Sequence, residues 1–436
     1  MSRALRFALP ALLAVLAGCG GGAPRPTVVV VLVDQLRKDA ADRWLSETRA
    51  LAESGVRFEE LRSAAPWTYP SVISLVSGLY PQQHGADGDE SGQRLTTFSP
   101  DVPLLPRTLR AAGYHTAGFV TNPFLHEWNP FHEAFDHYDA SFINDQGATR
   151  GHGEEVWTER MYADSVNAAI RAFYDARAPA GPEFLYVHYI DVHGRKNGPE
   201  RWAQAPFEPS YEAATRYVDG KIRELYDYFL ARSKGQLLFL VTSDHGQEAG
   251  DDEIVGEGQP WRSRKASLHD FNLRVPCYFL PSAFVHEPRV VTEPCSNVDL
   301  TPTLLDWLGL PGHPGVPGRS LMAAVRGEPY DGHARTLYAR NSAFGRREDC
   351  IVRGGEKYLR YELVQRKRVA VERRFDLEAD PRETHDLGQD RELESLLLEA
   401  AGTNGMAFPA VLEQPSAATQ GQLQKLGYGG DVEDDG

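Results

Sequence analysis

The chain has 436 residues, 42% of them apolar and 25% charged, with a formal net charge of −15, a size and composition that suit one large α/β domain with a smaller appended unit. So acidic a chain repels polynucleotides and offers no basic stripe for a phosphate backbone, which excludes nucleic acid as a partner. It does not exclude an anionic ester, because a bound cation can reverse the sign locally.

At the N-terminus Arg3 and Arg6 precede an apolar run over 7–17, then Leu16-Ala17-Gly18-Cys19. The pattern reads as an export signal. It resembles a bacterial lipoprotein box, in which Cys19 becomes the lipidated N-terminus. A plain secretory signal or a short anchor is the alternative, but the run is shorter than the roughly 20 residues a spanning helix needs. The expected organisation is a signal over 1–18, a tether over 19–27, a catalytic domain over 28–330, a small C-terminal subdomain over 331–412 and a tail over 413–436. The expected location is a bacterial cell envelope, outside the cytoplasm and lipid-anchored. Export permits disulfides, so a Cys277–Cys295 pair is possible, and the cysteine spacing matches no zinc motif.

Further along, the runs 28–33, 116–120, 184–190 and 237–241 are rich in Val, Leu, Ile, Phe or Tyr, and each ends in a polar cluster. Continuous apolar runs predict strands buried on both faces, as in a mostly parallel sheet flanked by helices. Helices are expected over 43–54, 106–112, 162–177, 211–231 and 299–308, with Asp299 near an N-cap. Short strands over 337–339 and 357–362 and a last helix over 391–401 form the C-terminal subdomain. The stretches 140–158 and 248–263 read as loops.

In sheets of this kind ligands bind beyond the carboxyl ends of the strands, where the polar clusters fall. Asp34 and Gln35 close the first strand and together suit a hard divalent cation; a helix-capping Asp is the plainer reading. Thr68 precedes Pro70 and Ser71 in the first turn of an apolar helix ending at Gly78, so partial positive charge points at its oxygen; an N-cap Thr is the plainer reading. Asp244 and His245, followed by Gly246, can face one metal.

Taken in order, a strand ending in Asp34, then Thr68-x-Pro70-Ser71, then Ser243-Asp244-His245-Gly246, resemble the sulfatase family of the alkaline-phosphatase superfamily, with its phosphonate- and phosphodiester-cleaving relatives. The resemblance extends through Gly78-Leu79-Tyr80-Pro81, Gly113-Tyr114-His115-Thr116, Gly318-Arg319-Ser320-Leu321 and Asp380-Pro381 with Glu383. It implies an exported hydrolase of sulfuric or phosphoric esters. Its single divalent ion (Ca²⁺, Mn²⁺ or Zn²⁺) would be held by Asp34, Asp244, His245 and Gln35. Thr68 stands at the nucleophile position, where sulfatases hold a Cys or Ser that becomes formylglycine. His193 matches a substrate-contacting His and Lys265 a Lys that contacts the anionic group. Thr121 or Asn122 could add a hydrogen bond to substrate.

Several positions depart from the family pattern. Val72 stands where sulfatases carry Arg, and Phe119 and Thr121 replace a Lys and a His. Thr68 lacks the second hydroxyl from which a formylglycine hydrate releases sulfate. The family therefore points to sulfate, and the residues to a phosphate or phosphonate ester of a small molecule, glycan or lipid. Two other functions fit the same residues: an envelope phospho-group transferase and a catalytically inactive lipoprotein that binds an anionic glycan. Nothing in the sequence specifies an oligomeric state.

Overall fold

The computed structural model describes residues 25–89, 94–143, 159–178, 181–193, 210–247, 267–285, 287–342, 346–363, 368–402 and 408–411. Cys19, Lys265 and most of the loops expected over 140–158 and 248–263 lie outside them.

The apolar runs become strands because their side chains bury on both faces. Thr27–Val33 is buried along its whole length. Val28, Val30 and Leu32 enter one core, and Val29, Val31 and Val33 the other, as the period of two in a strand requires. Glu183–Tyr189 lies parallel to it on one side and Leu237–Thr242 on the other. Among the described residues this sheet has eight strands. They run in the order Arg289–Val291, Val56–Phe58, Cys277–Leu280, Leu237–Thr242, Thr27–Val33, Glu183–Tyr189, His115–Phe119, His137–Asp139. Cys277–Leu280 is antiparallel to both neighbours and every other pairing is parallel.

Helices cover both faces. Thr68–Ser77, Leu105–Ala111 and Leu300–Trp307 pack on the face of Val28, Val30 and Leu32. Lys38–Trp44, Ser46–Ala52, Ala163–Asp175 and Tyr211–Arg232 pack on the other. A four-stranded antiparallel sheet follows, Leu337–Asn341, Arg346–Arg353, Glu356–Leu363 and Arg368–Asp376. The helix Arg391–Ala401 sets Leu393 and Leu397 against Tyr338, Ile351 and Tyr358, in a core shared with Ala64, Tyr80 and Val298 of the large domain. Among the described residues no helix is long and apolar enough to cross a membrane.

Three expectations need correction. The helix expected over 43–54 is two helices, broken at Leu45 (φ −83°, ψ 60°). The break is capped from elsewhere: Asp219 accepts the amides of Glu47 (2.7 Å) and Thr48 (2.9 Å). Val56–Phe58, His137–Asp139, Cys277–Leu280 and Arg289–Val291 are sheet strands that the sequence reading left out, most of them too short for a period to show. Cys277 and Cys295 are buried free thiols, not a disulfide; Cys277 pairs with Phe58 in the large sheet, and Cys295 with Leu61 in a separate two-stranded one.

Candidate active site

The candidate residues gather at the carboxyl ends of the central strands. Asp34 follows Thr27–Val33, Thr121 and Asn122 follow His115–Phe119, and Asp244 and His245 follow Leu237–Thr242. Thr68 is the first residue of the helix Thr68–Ser77, whose N-cap is Trp67 and whose end is Gly78 in a left-handed conformation (φ 80°). Thr68 is therefore not the cap, and its hydroxyl is available to the site. Ser71 ties this helix to the strand end that carries Asp244: its Oγ donates to the Asp244 carbonyl (2.6 Å) and lies 2.8 Å from Ser63 Oγ.

Asp34, Thr68, Asn122, His188 and Asp244 are fully buried, and His245 is 3% exposed. The two oxygens of Asp34 face different groups. Oδ2 accepts from Asn122 Nδ2 (2.6 Å) and Thr68 Oγ1 (3.5 Å), with His188 Nε2 at 3.6 Å. Oδ1 faces His245 Nε2 at 3.8 Å, and the same nitrogen is 3.6 Å from Asp244 Oδ2. The other oxygen of Asp244 is occupied by the amides of His245 (2.8 Å) and Gln35 (3.2 Å). His245 Nδ1 lies 2.7 Å from the Gly246 carbonyl. A carbonyl only accepts, so the ring proton sits on Nδ1 and the Nε2 lone pair is directed inward. Gly246 itself has no room for a side chain, since a Cβ there would stand 2.0 Å from the Phe271 carbonyl oxygen.

Asp34, Asp244 and His245 each offer a ligand atom, all within 4.8 Å of one another. Asp34 Oδ1, Asp244 Oδ2 and His245 Nε2 have no hydrogen-bond partner among the described residues. Buried acceptors without donors are costly, and a divalent cation relieves all of them together. These residues therefore fit a metal ion. The mixed imidazole and carboxylate set suits Mn²⁺ or Zn²⁺ as well as it suits Ca²⁺. Burial and then the charge of Asp244 push the Asp34 carboxyl well above its ordinary range, against the hydrogen bonds from Asn122 and Thr68. A cation in this position would act the other way and keep both carboxylates ionised.

The main chain of Gln35 is tied to the site: its amide bonds Asp244, its carbonyl accepts the Tyr211 hydroxyl (2.8 Å), and its φ is 60°. Thr121 turns toward His188, donating to its carbonyl (2.8 Å) with Nδ1 at 3.4 Å. His193 is buried, with its amide bonded to the Ile190 carbonyl (2.9 Å). Asp191 accepts the amide that opens the helix Ala163–Asp175 (3.1 Å). Lys265 falls outside the described residues. Val72 and Phe119, which stand where the family pattern has cations, are core side chains.

His188 is the residue that sequence reasoning missed. Burial lowers its pKa to about 4, so the ring is neutral near pH 7. One signal was available: His188 has the same parity as Phe184 and Tyr186, which face the core beneath the Thr68 helix, so a polar residue in that run marks the site-facing side of the strand.

The fold and site define an α/β protein whose buried Asp34, Asp244 and His245 fit a metal ion. The sulfatase family model matches residues 26–310. Choline-sulfatase of Rhizobium meliloti (strain 1021) is 30% identical over 84% of this chain and 83% of its own length. The extracellular sulfatase SULF-1 homolog of Drosophila melanogaster is 23% identical over 68% of this chain, and the match spans only 31% of that protein. The crystal structure of a phosphonate monoester hydrolase of Agrobacterium radiobacter superposes with a TM-score of 0.60, covering 86% of this chain and 94% of that one at 17% identity, a likeness of fold. The chain belongs to the sulfatase family of the alkaline-phosphatase superfamily, and it is an ester hydrolase.

Proposed function

We propose that this hydrolase cleaves phosphoric or phosphonic esters with Thr68 as the nucleophile, beside one divalent ion held by Asp34, Asp244 and His245. The observation that carries the reading is the placement of Thr68 Oγ1. It opens a helix, is fully buried, and stands 3.5 Å from one oxygen of Asp34, whose other oxygen faces Asp244 and His245. When bound, the ion supplies Lewis acidity and neutralises ester oxygens. The chain's own residues supply the rest. The helix N-terminus places partial positive charge at the oxygen that becomes anionic. Asp34 holds the Thr68 hydroxyl, Ser71 fixes the helix against the Asp244 strand end, and burial keeps bulk water from competing. His188, held by Thr121, adds a neutral imidazole on the Thr68 side of Asp34.

Thr68 also favours one ester type over the other. A formylglycine hydrate sheds sulfate by elimination from its second hydroxyl, and threonine has only one. A phosphorylated threonine can instead be cleared by water attack at phosphorus. The similarity to choline-sulfatase keeps sulfate esters as the second reading.

The test compares turnover of aryl phosphate, aryl phosphodiester, aryl phosphonate and aryl sulfate with Mn²⁺, Zn²⁺ or Ca²⁺ added, for wild type and Thr68→Ala. Phosphodiester or phosphonate turnover should fall by about three orders of magnitude or more in the variant, as expected for loss of a covalent nucleophile. Sulfate as the preferred ester would reverse the choice of substrate, and full activity in Thr68→Ala would remove the nucleophile.

A further inference from the structure

Asn122 holds an amide that cannot turn over. Its Oδ1 accepts the amide of Phe124 (2.9 Å) and so caps the short turn Pro123–Leu125. This fixes which end of the amide is nitrogen. The Nδ2 group faces the site and reaches two acceptors, Asp34 Oδ2 at 2.6 Å and Thr68 Oγ1 at 3.2 Å. Among the described residues, the side chains bonded to Thr68 Oγ1 are Asn122, which donates, and Asp34, which accepts. All three are fully buried, where a fixed N–H counts for more than it does in water. The neighbouring positions do not duplicate this donor, since Phe119 is in the core and Thr121 is bonded to His188.

We propose that Asn122 is a catalytic residue that stabilises negative charge on Thr68 Oγ1, chiefly while the covalent intermediate breaks down. The inference rests on Thr68 as the nucleophile. In the first half-reaction Thr68 Oγ1 gives up its proton and bonds to phosphorus, the bond to the ester oxygen breaks, and the ester oxygen leaves as the alcohol after taking up that proton. In the second, a water oxygen bonds to phosphorus and the bond from phosphorus to Oγ1 breaks. The electron pair stays on Oγ1, which takes up a proton from the attacking water. Oγ1 is the leaving group only in this second half. An alkoxide is a poor leaving group, whereas the aryl oxide expelled in the first half is a good one. An N–H directed at Oγ1 therefore matters most for clearing the intermediate.

The experiment follows an aryl phosphodiester or phosphonate through wild type, Asn122→Ala, Asn122→Asp and Thr68→Ala. It records kcat, KM, the pre-steady-state release of aryl alcohol, and the mass of the Thr68 peptide after acid quench. Asn122→Asp keeps an acceptor for the Phe124 amide while removing the donor, so it carries the test if Asn122→Ala does not fold. The expected result in the Asn122 variants is a fall in kcat of about 100- to 1,000-fold, the size seen for loss of one oxyanion donor, without a matching rise in KM. A burst approaching about one aryl alcohol per chain should precede the slow phase, and the Thr68 peptide should carry the transferred phospho group. Unchanged kcat, a loss confined to KM, or a lower kcat with neither burst nor adduct would overturn the role of Asn122. Full activity in Thr68→Ala would overturn the nucleophile itself, a result distinguishable from all of these.

Discussion

Asp34 works as two ligands in one residue. Oδ1 lies with Asp244 and His245, and Oδ2 with Thr68, Asn122 and His188, so one carboxylate links the group that fits a cation to the Thr68 hydroxyl. Asp244 divides its oxygens differently: one is spent on the amides of Gln35 and His245, and the other is left for a cation. Removing Asp244 should therefore abolish cation binding and also leave the Gln35 and His245 amides without that acceptor. Wild type dialysed against chelator should unfold at a lower temperature, because a ligand that binds only the folded state at a hundredfold excess over its Kd adds about 2.7 kcal/mol. In Asp244→Ala that difference should vanish, with metal per chain falling toward zero. Retained stoichiometric metal in the variant would refute this ligand set. At this scale the sequence was informative where chemistry sits at the end of an element, as with Asp34, Asp244 and His245 after strands and Thr68 at the start of a helix. It was incomplete where the role depends on parity or on a distance between elements. His188 was hidden inside an apolar run, and Asn122, a candidate for a hydrogen bond to substrate, shows its bonds to Asp34 and Thr68 only in the fold.

The helices are held by contacts that cross between elements. Asp219, midway along Tyr211–Arg232, accepts the amides of Glu47 and Thr48 and so starts the helix Ser46–Ala52 from outside it. A cap supplied at such range leaves no local mark, which is why 43–54 reads as one helix. Asp219→Ala should lower stability by about 1–2 kcal/mol, the worth of an N-cap side chain, measured by denaturant unfolding. Among the described residues, Asp219 bonds residues 46–48 and none of the site side chains, so kcat should hardly change. A stability loss within error would show that solvent can replace the cap. By contrast, the last helix, Arg391–Ala401, matches its expected bounds. Its signal is local: Asp390 accepts the amides of Glu392 (2.9 Å) and Leu393 (3.1 Å), and the apolar residues recur at helical spacing.

Over the whole molecule, the C-terminal sheet is joined to the large domain by buried charge. Lys357 Nζ bonds Glu383 (2.5 Å) and the Leu268 carbonyl, and Glu383 accepts the Asp270 amide (2.7 Å). Asp270 in turn pairs with Arg62 through two bonds (2.6 and 3.0 Å). Burial alone would raise the Asp270 carboxyl, but Arg62, with Lys357 and Arg274, outweighs it and holds the group below its ordinary value of 3.8. A carboxyl depressed in the folded state contributes stability that is fully present above the unfolded value, and the contribution is lost as pH falls through the folded one. The protein should therefore lose stability in acid below about pH 4, and Asp270→Asn should be less stable near neutrality with a flatter acid limb. An acid limb of unchanged slope in the variant would place the acid sensitivity elsewhere.

The sequence by itself determined the strand grammar, the sheet flanked by helices, the helix that opens at Thr68, and Asp34, Asp244 and His245 as a candidate set for a metal. Each of these is written in local periodicity and in residue types at strand ends. Only the tertiary structure decided the strand order with its antiparallel Cys277–Leu280, the free state of Cys277 and Cys295, the tautomer of His245, and the presence of His188 and the locked Asn122 amide beside Thr68. Those depend on which backbone groups meet across the fold, and a contact between residues far apart in the chain has no local pattern from which to read it.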